Sequence, residues 1–333
     1  MDREVCVRDY KIDWIRALCT LTVIIAHVGS PELINQIRTF DVVSLVLISG
    51  MSMSFSSDKY FPYLWKRIRK LLIPTYIVIS IIFVLSFAAC KLIKTEQLYS
   101  VGRMIRSYLL LREGSMGFVW IIRIFLFIAL LDPVIKRIAE KIKNIAVFGL
   151  VTVILALAGY LMYRIYLTLT VPSLVTVFDD FLLSPYVYCV IALIGYWFVL
   201  NKDKWLYLFI GAAVIFAAIQ IYFIISGVGF IPDDHKYPPQ VYYCAYGVMV
   251  TLILYKIFPS KDIKVISWLS RNSFMIYLLH IFVLRVYGIA AKIRFLKFLE
   301  KAWVIEYIAV VTGAVVLTIL VNICKKRFGS KKA

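Results

Sequence analysis

Ten apolar stretches, each close to the length a helix needs to cross ~30 Å of hydrocarbon, divide this chain. They lie at about residues 11–29, 40–57, 71–93, 117–139, 144–169, 181–200, 204–227, 239–258, 272–291 and 303–324. Backbone in hydrocarbon must satisfy its own hydrogen bonds, and runs of this length do so as helices. The expected fold is therefore all-α, a polytopic transmembrane helical bundle of about ten spans forming a single domain over residues 1–333. Hydrophobic residues make up 62% of the chain, where a soluble domain has roughly 45–50%. Gly, Pro and polar residues interrupt several stretches, as expected of helices packed against one another rather than of simple anchors. The first run follows a mixed-charge start and has no small-residue cleavage site, so no cleaved leader is expected.

The formal net charge of +19 is a property of the loops. Basic residues cluster between apolar runs, which is the pattern of topogenic and lipid-facing charge and not of a nucleic-acid-binding stripe. Lys59, Lys66, Arg67, Arg69 and Lys70 stand against the lone Asp58 in one loop; Lys136, Arg137, Lys141 and Lys143 mark another. Lys256, Lys261, Lys264 and Arg271 mark a third, and the tail is basic. The alternate loops are poorer in cations, so both termini are expected in the cytoplasm. Residues 91–116 and 291–302 run against this pattern: basic, yet external by count. The segment VGRMIRSYLLL is either an interfacial amphipathic helix or part of a re-entrant or miscounted span. The six cysteines (Cys6, Cys19, Cys90, Cys189, Cys244 and Cys324) form no CxxC pair. They read as small hydrophobes, and no metal site is expected.

Two groups in the first run are costly in hydrocarbon. Arg16 and His27 are eleven residues apart, which places them within about 20° of one helix face and roughly 16 Å apart along it. Either both point into a protein interior or wet cavity, or Arg16 snorkels to the interface while His27 caps the helix. With cytoplasmic termini, Arg16 lies toward the inner side and His27 toward the outer. Asp41 opens the second run at nearly the depth of His27, as an orienting carboxylate or simply as an acid favoured at a helix N-terminus. The cluster Lys66, Arg67, Arg69 and Lys70 is a topology signal or a phosphate-binding rim. Arg123 sits inside an apolar run and needs a partner. His280 lies midway along the ninth run, in a core hydrogen bond or a binding site. No G-x-S-x-G, H-E-x-x-H or P-loop is present, which excludes the hydrolase, metalloprotease and NTPase classes that use them. An enzyme and a transporter or flippase, with Arg16, His27 and Arg123 as a proton or anion pathway, remain the two alternatives.

An ordered set of motifs along most of the chain resembles the acyltransferase-3 family of integral membrane O-acyltransferases, in particular those that O-acetylate cell-surface polysaccharides. DWIRALCTLTVIIAH resembles the family's Arg-x10-His, as Arg16 and His27. RTFDVVSLVLISGMS resembles its second-helix motif ending in Ser49-Gly50, and WKRIRKLLIPTYI its basic-then-proline third helix. FVWIIRIFLFIALLDPVI, with Trp120 and Arg123, KYPPQVYYCAYG, with Tyr237, and SRNSFMIYLLH, ending in His280, complete it. The family's Arg-x-x-Arg is here Arg67 followed at that spacing by Lys70, which keeps the charge and loses the bidentate fork.

The resemblance implies a stand-alone O-acyltransferase of the plasma or inner membrane. Its partners would be the lipid bilayer, acetyl-CoA or another acyl-CoA as donor, and the hydroxyl of a cell-surface or lipid-linked glycan as acceptor. It implies His27 as general base or acyl carrier, with Asp41 as its orienter. Arg16, Arg67, Arg69 and Lys70 would hold CoA phosphates or polarise the thioester. Trp120, Arg123, Tyr237 and His280 would serve the acceptor, Arg123 also as an oxyanion stabiliser.

Overall fold

In the computed structural model, which describes residues 8–56, 59–92, 96–116, 118–290 and 303–329, every regular element among those residues is helical. The chain runs through α1 (Tyr10–Ile25), the short α2 (Glu32–Arg38), α3 (Asp41–Met53) and α4 (Tyr60–Leu92). Next come α5 (Val101–Tyr108), α6 (Trp120–Leu130), α7 (Asp132–Lys141), α8 (Ile145–Thr168) and α9 (Pro172–Phe178). The remainder is α10 (Ser184–Leu200), α11 (Trp205–Ser226), α12 (Val241–Ile257), α13 (Lys264–Ala290) and α14 (Trp303–Gly329). By length and composition, 6 helical stretches can cross a membrane, and α6 and α12 are shorter apolar helices. The chain is a helical membrane bundle. Outward-facing Leu150, Ile154, Leu157 and Leu161 of α8 and Val214, Ile221 and Ile225 of α11 give it an apolar exterior.

Four expected spans differ in their limits; the ninth, expected at 272–291, begins already at Lys264, so Lys264 and Arg271 lie on α13 and not in the loop before it. The 11–29 helix stops at Ile25, and His27 follows in a tighter turn whose amide bonds to Ile24 three residues back. The 117–139 stretch breaks between α6 and α7, where Pro133 cannot donate into a continuing ladder and instead starts a new helix. The third span begins at Tyr60, so the basic cluster lies on α4 itself and not in the loop before it. Segment 291–302 lies outside the described residues. The amphipathic helix in 91–116 is α5, with Val101, Ile105, Arg103 and Arg106 exposed and Ser107 buried.

Buried α3 organises the bundle, packing against α1, α10 and α12. Its contact with α10 is set by two glycines. A Cβ on Gly50 would lie 2.0 Å from the Ala192 carbonyl oxygen, and one on Gly195 2.0 Å from that of Leu47. The two backbones therefore touch, as small residues permit in membrane helix pairs. A second cluster, Ile24, Val28, Ile276, Leu279, Val310 and Ala314, ties the end of α1 to α13 and α14. Gly50→Ala must push α3 and α10 apart and is expected to cost about 1–3 kcal/mol or more. The measurement is the unfolding midpoint of purified protein in detergent; an unchanged midpoint would contradict the close approach.

Candidate active site

One cavity of about 740 Å³ runs beside α1 along nearly its whole length. Arg8, Asp9, Asp13, Arg67, Lys70 and Arg271 line it where α1 begins, and Arg16, Ser49 and Ser52 line its waist. His27, Arg38, Asp41, Trp120, Lys236 and Tyr237 line it where α1 ends. Its size is that of a ligand pocket, typically ~300–1,000 Å³. Arg16 and His27 thus open on one space, even though His27 lies just past the end of α1.

Arg16 is held rather than free. Its Nη2 donates to Ser52 Oγ at 2.7 Å and its Nη1 to Ser270 Oγ at 3.3 Å, while Asp13 Oδ1 lies 3.8 Å away. Ser270 in turn donates to Asp13 at 2.6 Å, and Arg8 Nε donates to the same carboxylate at 2.7 Å. Helices α1, α3 and α13 are cross-linked through this network. The guanidinium keeps its orientation toward the cavity without being an unpaired charge at depth.

The α4 start explains the rim. At 100° per residue, Arg67 and Lys70 share a face and Arg69 points some 200° away. Arg67 and Lys70 line the cavity; Arg69 does not, and its guanidinium lies over the exposed Trp65 ring at 5.7 Å. Arg69 is therefore removed from the expected donor-binding set.

At the other mouth, the His27 ring meets the edge of Phe118, centroids 4.2 Å apart, and stacks on His280 at 5.5 Å with 17° between planes. His280 is fully buried and does not line the cavity. Its Nδ1–H donates to the Tyr277 carbonyl, which can only accept, and so holds the ring in place. Its Nε2 has no partner among the described residues. His280 backs His27 rather than forming a separate acceptor contact.

Asp41 is not the orienter of His27. Its Oδ2 accepts from Arg38 Nη1 at 2.9 Å and its Oδ1 from the Val42 amide at 2.7 Å, the arrangement of an acid at a helix start. Arg123 is likewise committed away from the cavity. Its Nη1 donates to the Leu110 carbonyl at 2.7 Å and its Nη2 to Asp180 at 2.5 Å. Asp180 and Asp179 occupy a wide π-helical turn between α9 and α10, and Arg112 Nη1 pairs with Asp179 at 2.6 Å. Burial opposes the Arg112 charge, but the Asp179 and Asp180 carboxylates outweigh it and raise its pKa. These four residues clamp the loop before α6 onto α10. They build no oxyanion hole.

Trp120 and Tyr237 meet edge to face at 5.4 Å on the cavity wall. Lys236, a residue the sequence analysis does not single out, also lines this wall and is 5% exposed. Burial works against its charge, but Tyr237, Asp41 and Asp233 favour it, and its pKa lies above the ordinary lysine value.

A family profile described as an acyltransferase domain matches residues 9–323, which takes in both mouths of the cavity and every helix between them. The chain belongs to the acyltransferase-3 family. No curated protein matched it, and no solved structure did. It is a multi-pass membrane acyltransferase, and its family's Arg-x10-His pair is the one that lines this cavity.

Proposed function

We propose that this acyltransferase carries an acyl group, acetyl in the simplest case, from acyl-CoA at the basic mouth to a glycan hydroxyl at the His27 mouth. The observation that carries the reading is the continuity of the cavity from Arg67 and Lys70 past Arg16 to His27. A pantetheine arm has about as many backbone bonds as four extended residues, roughly 14 Å. That is close to the Arg16–His27 separation, so a pyrophosphate held at Arg16, with the nucleotide's remaining phosphate at Arg67 and Lys70, would present the thioester beside the imidazole. A neutral hydroxyl is a weak nucleophile, and His27 would take its proton as oxygen attacks the thioester carbonyl. The C–S bond then breaks and CoA leaves with the proton. In the carrier variant, the acyl group first rests on the imidazole. The cation-rich loops support a basic mouth on the cytoplasmic side, where CoA would be found, with the acceptor outside.

The test is purified protein in lipid vesicles given acetyl-CoA labelled in the acetyl group, with glycan on the opposite side. Protein-dependent release of CoA with label on the glycan is expected; no protein-dependent CoA release sinks the proposal. Within that assay, Arg67→Ala and Lys70→Ala should each raise the donor KM about 10-fold or more, the worth of a hydrogen bond to a charged group. Arg69→Ala should leave it within about twofold. Equal effects of all three would return the cluster to a role in topology.

A further inference from the structure

The His27 mouth carries more positive charge than the protein around it neutralises. Arg38 commits Nε to Asn35 at 3.0 Å and Nη1 to Asp41, leaving its third nitrogen free of them. Lys236 is less satisfied still. Among the described residues its one ion pair is a loose one, 3.7 Å to an Asp233 that is itself 38% exposed and accepts from Thr39 at 2.5 Å. No described side chain or carbonyl hydrogen-bonds the Lys236 ammonium, although the residue is 95% buried and lines the cavity. Arg285 adds a further cation, over the Phe118 ring that touches His27. Among the described residues, the one carboxylate lining this mouth, Asp41, is already held by Arg38.

The Lys236 ammonium lies 5.3 Å from the Tyr237 ring centroid and otherwise has only the loose Asp233 pair, so it keeps hydrogen-bond donors for acceptors that a ligand would supply. The aromatic wall beside it, Trp120 and Tyr237, is the surface on which an apolar sugar face can lie, and His27 is the base for its hydroxyl. Resting on the acyl-transfer reading above, we infer that the acceptor is anionic. It bears a carboxylate or phosphate that Lys236 and Arg38 bind while the neighbouring hydroxyl faces His27. Uronate sugars supply such a group as a carboxylate, and lipid-phosphate-linked sugars as a phosphate. Lys236 is on this reading a residue of acceptor specificity.

The experiment has a binding arm and a turnover arm, both on the full-length protein. In detergent, with CoA present to occupy the cations of the opposite mouth, glucuronate and inorganic phosphate should raise the unfolding midpoint, and glucose should not. The shift should vanish in Lys236→Gln and persist in Lys236→Arg. In vesicles with acetyl-CoA, a glucuronide, a matched glucoside and a polyprenyl-phosphate glucose are compared. One of the two anionic acceptors should exceed the neutral one by about 10-fold or more in kcat/KM, mainly through KM. Whichever it is identifies carboxylate or phosphate as the source. Lys236→Gln should erase the preference, and Lys236→Arg should keep it. Equal midpoint shifts in wild type and Lys236→Gln, an adventitious ion only, overturn the inference. So does no shift with either anion, or a Lys236→Gln protein slowed equally on the neutral and anionic acceptors, which would place Lys236 on the reacting carbonyl. Loss of CoA release from acetyl-CoA in the wild type would instead be a failure of the acyl-transfer reading itself.

Discussion

Replacing His27 with alanine is expected to lower acyl transfer by ~10²–10⁴-fold if the imidazole acts as general base, and by more if it carries the acyl group. The protein should still fold and insert, because His27 is only partly buried, follows the end of α1 and is not part of the network that ties α1 to α3 and α13. The proper comparison is Arg69→Ala, whose side chain lies off the cavity. His280 is unsuitable as a neutral control, since its ring stacks on His27 and fixes one side of it. His280→Ala should leave His27 free to turn, giving a lower kcat at near-normal donor KM. Acylated His27 would be trapped by acid quench with labelled acetyl-CoA and lost in His27→Ala. A well-inserted His27→Ala protein with near-normal transfer would move the chemistry elsewhere.

The pairing of Arg16 with His27 was legible because helical periodicity acts over eleven residues, and both side chains do line one cavity. The choice among Arg67, Arg69 and Lys70 was not, for a local reason: the apolar run begins at residue 71, whereas the helix begins at Tyr60. Once the cluster is on a helix, spacing alone sends Arg69 outward. Asp41 was read against the wrong partner. Arg38 lies three residues earlier, and its i, i+3 position beside Asp41 is the sequence signal for that pair. The stacking of His280 on His27 and the Ser270–Asp13 bond join segments about 250 residues apart, and nothing local in either segment announces them. Lys236 was visible in KYPPQ only as a charge. Its burial comes from tertiary packing, which sequence pattern does not report.

Removing the Arg123 guanidinium should damage the fold before it damages the chemistry. Arg123→Met leaves Asp180 as a buried carboxylate with little beyond the Arg112 amide, 3.2 Å away, and strips the Leu110 carbonyl of its donor. Breaking a buried pair from one side typically costs ~3–5 kcal/mol, because the surviving charge is uncompensated. For this chain the unfolding midpoint should fall on the order of 10 °C. Replacing both partners, as in Arg123→Met with Asp180→Leu, removes the orphaned charge along with the pair, so most of the lost stability should return. Whatever folds in the single variant should keep its donor KM and turn over within a few-fold of wild type, since Arg123 does not reach the cavity that holds His27. The opposite pattern, an Arg123→Met protein of normal stability with turnover down 10²-fold or more, is what an oxyanion-stabilising arginine would give. Unfolding midpoint and kcat measured on the same preparations separate the two, because an ion-pair clamp moves the first quantity and a transition-state contact moves the second.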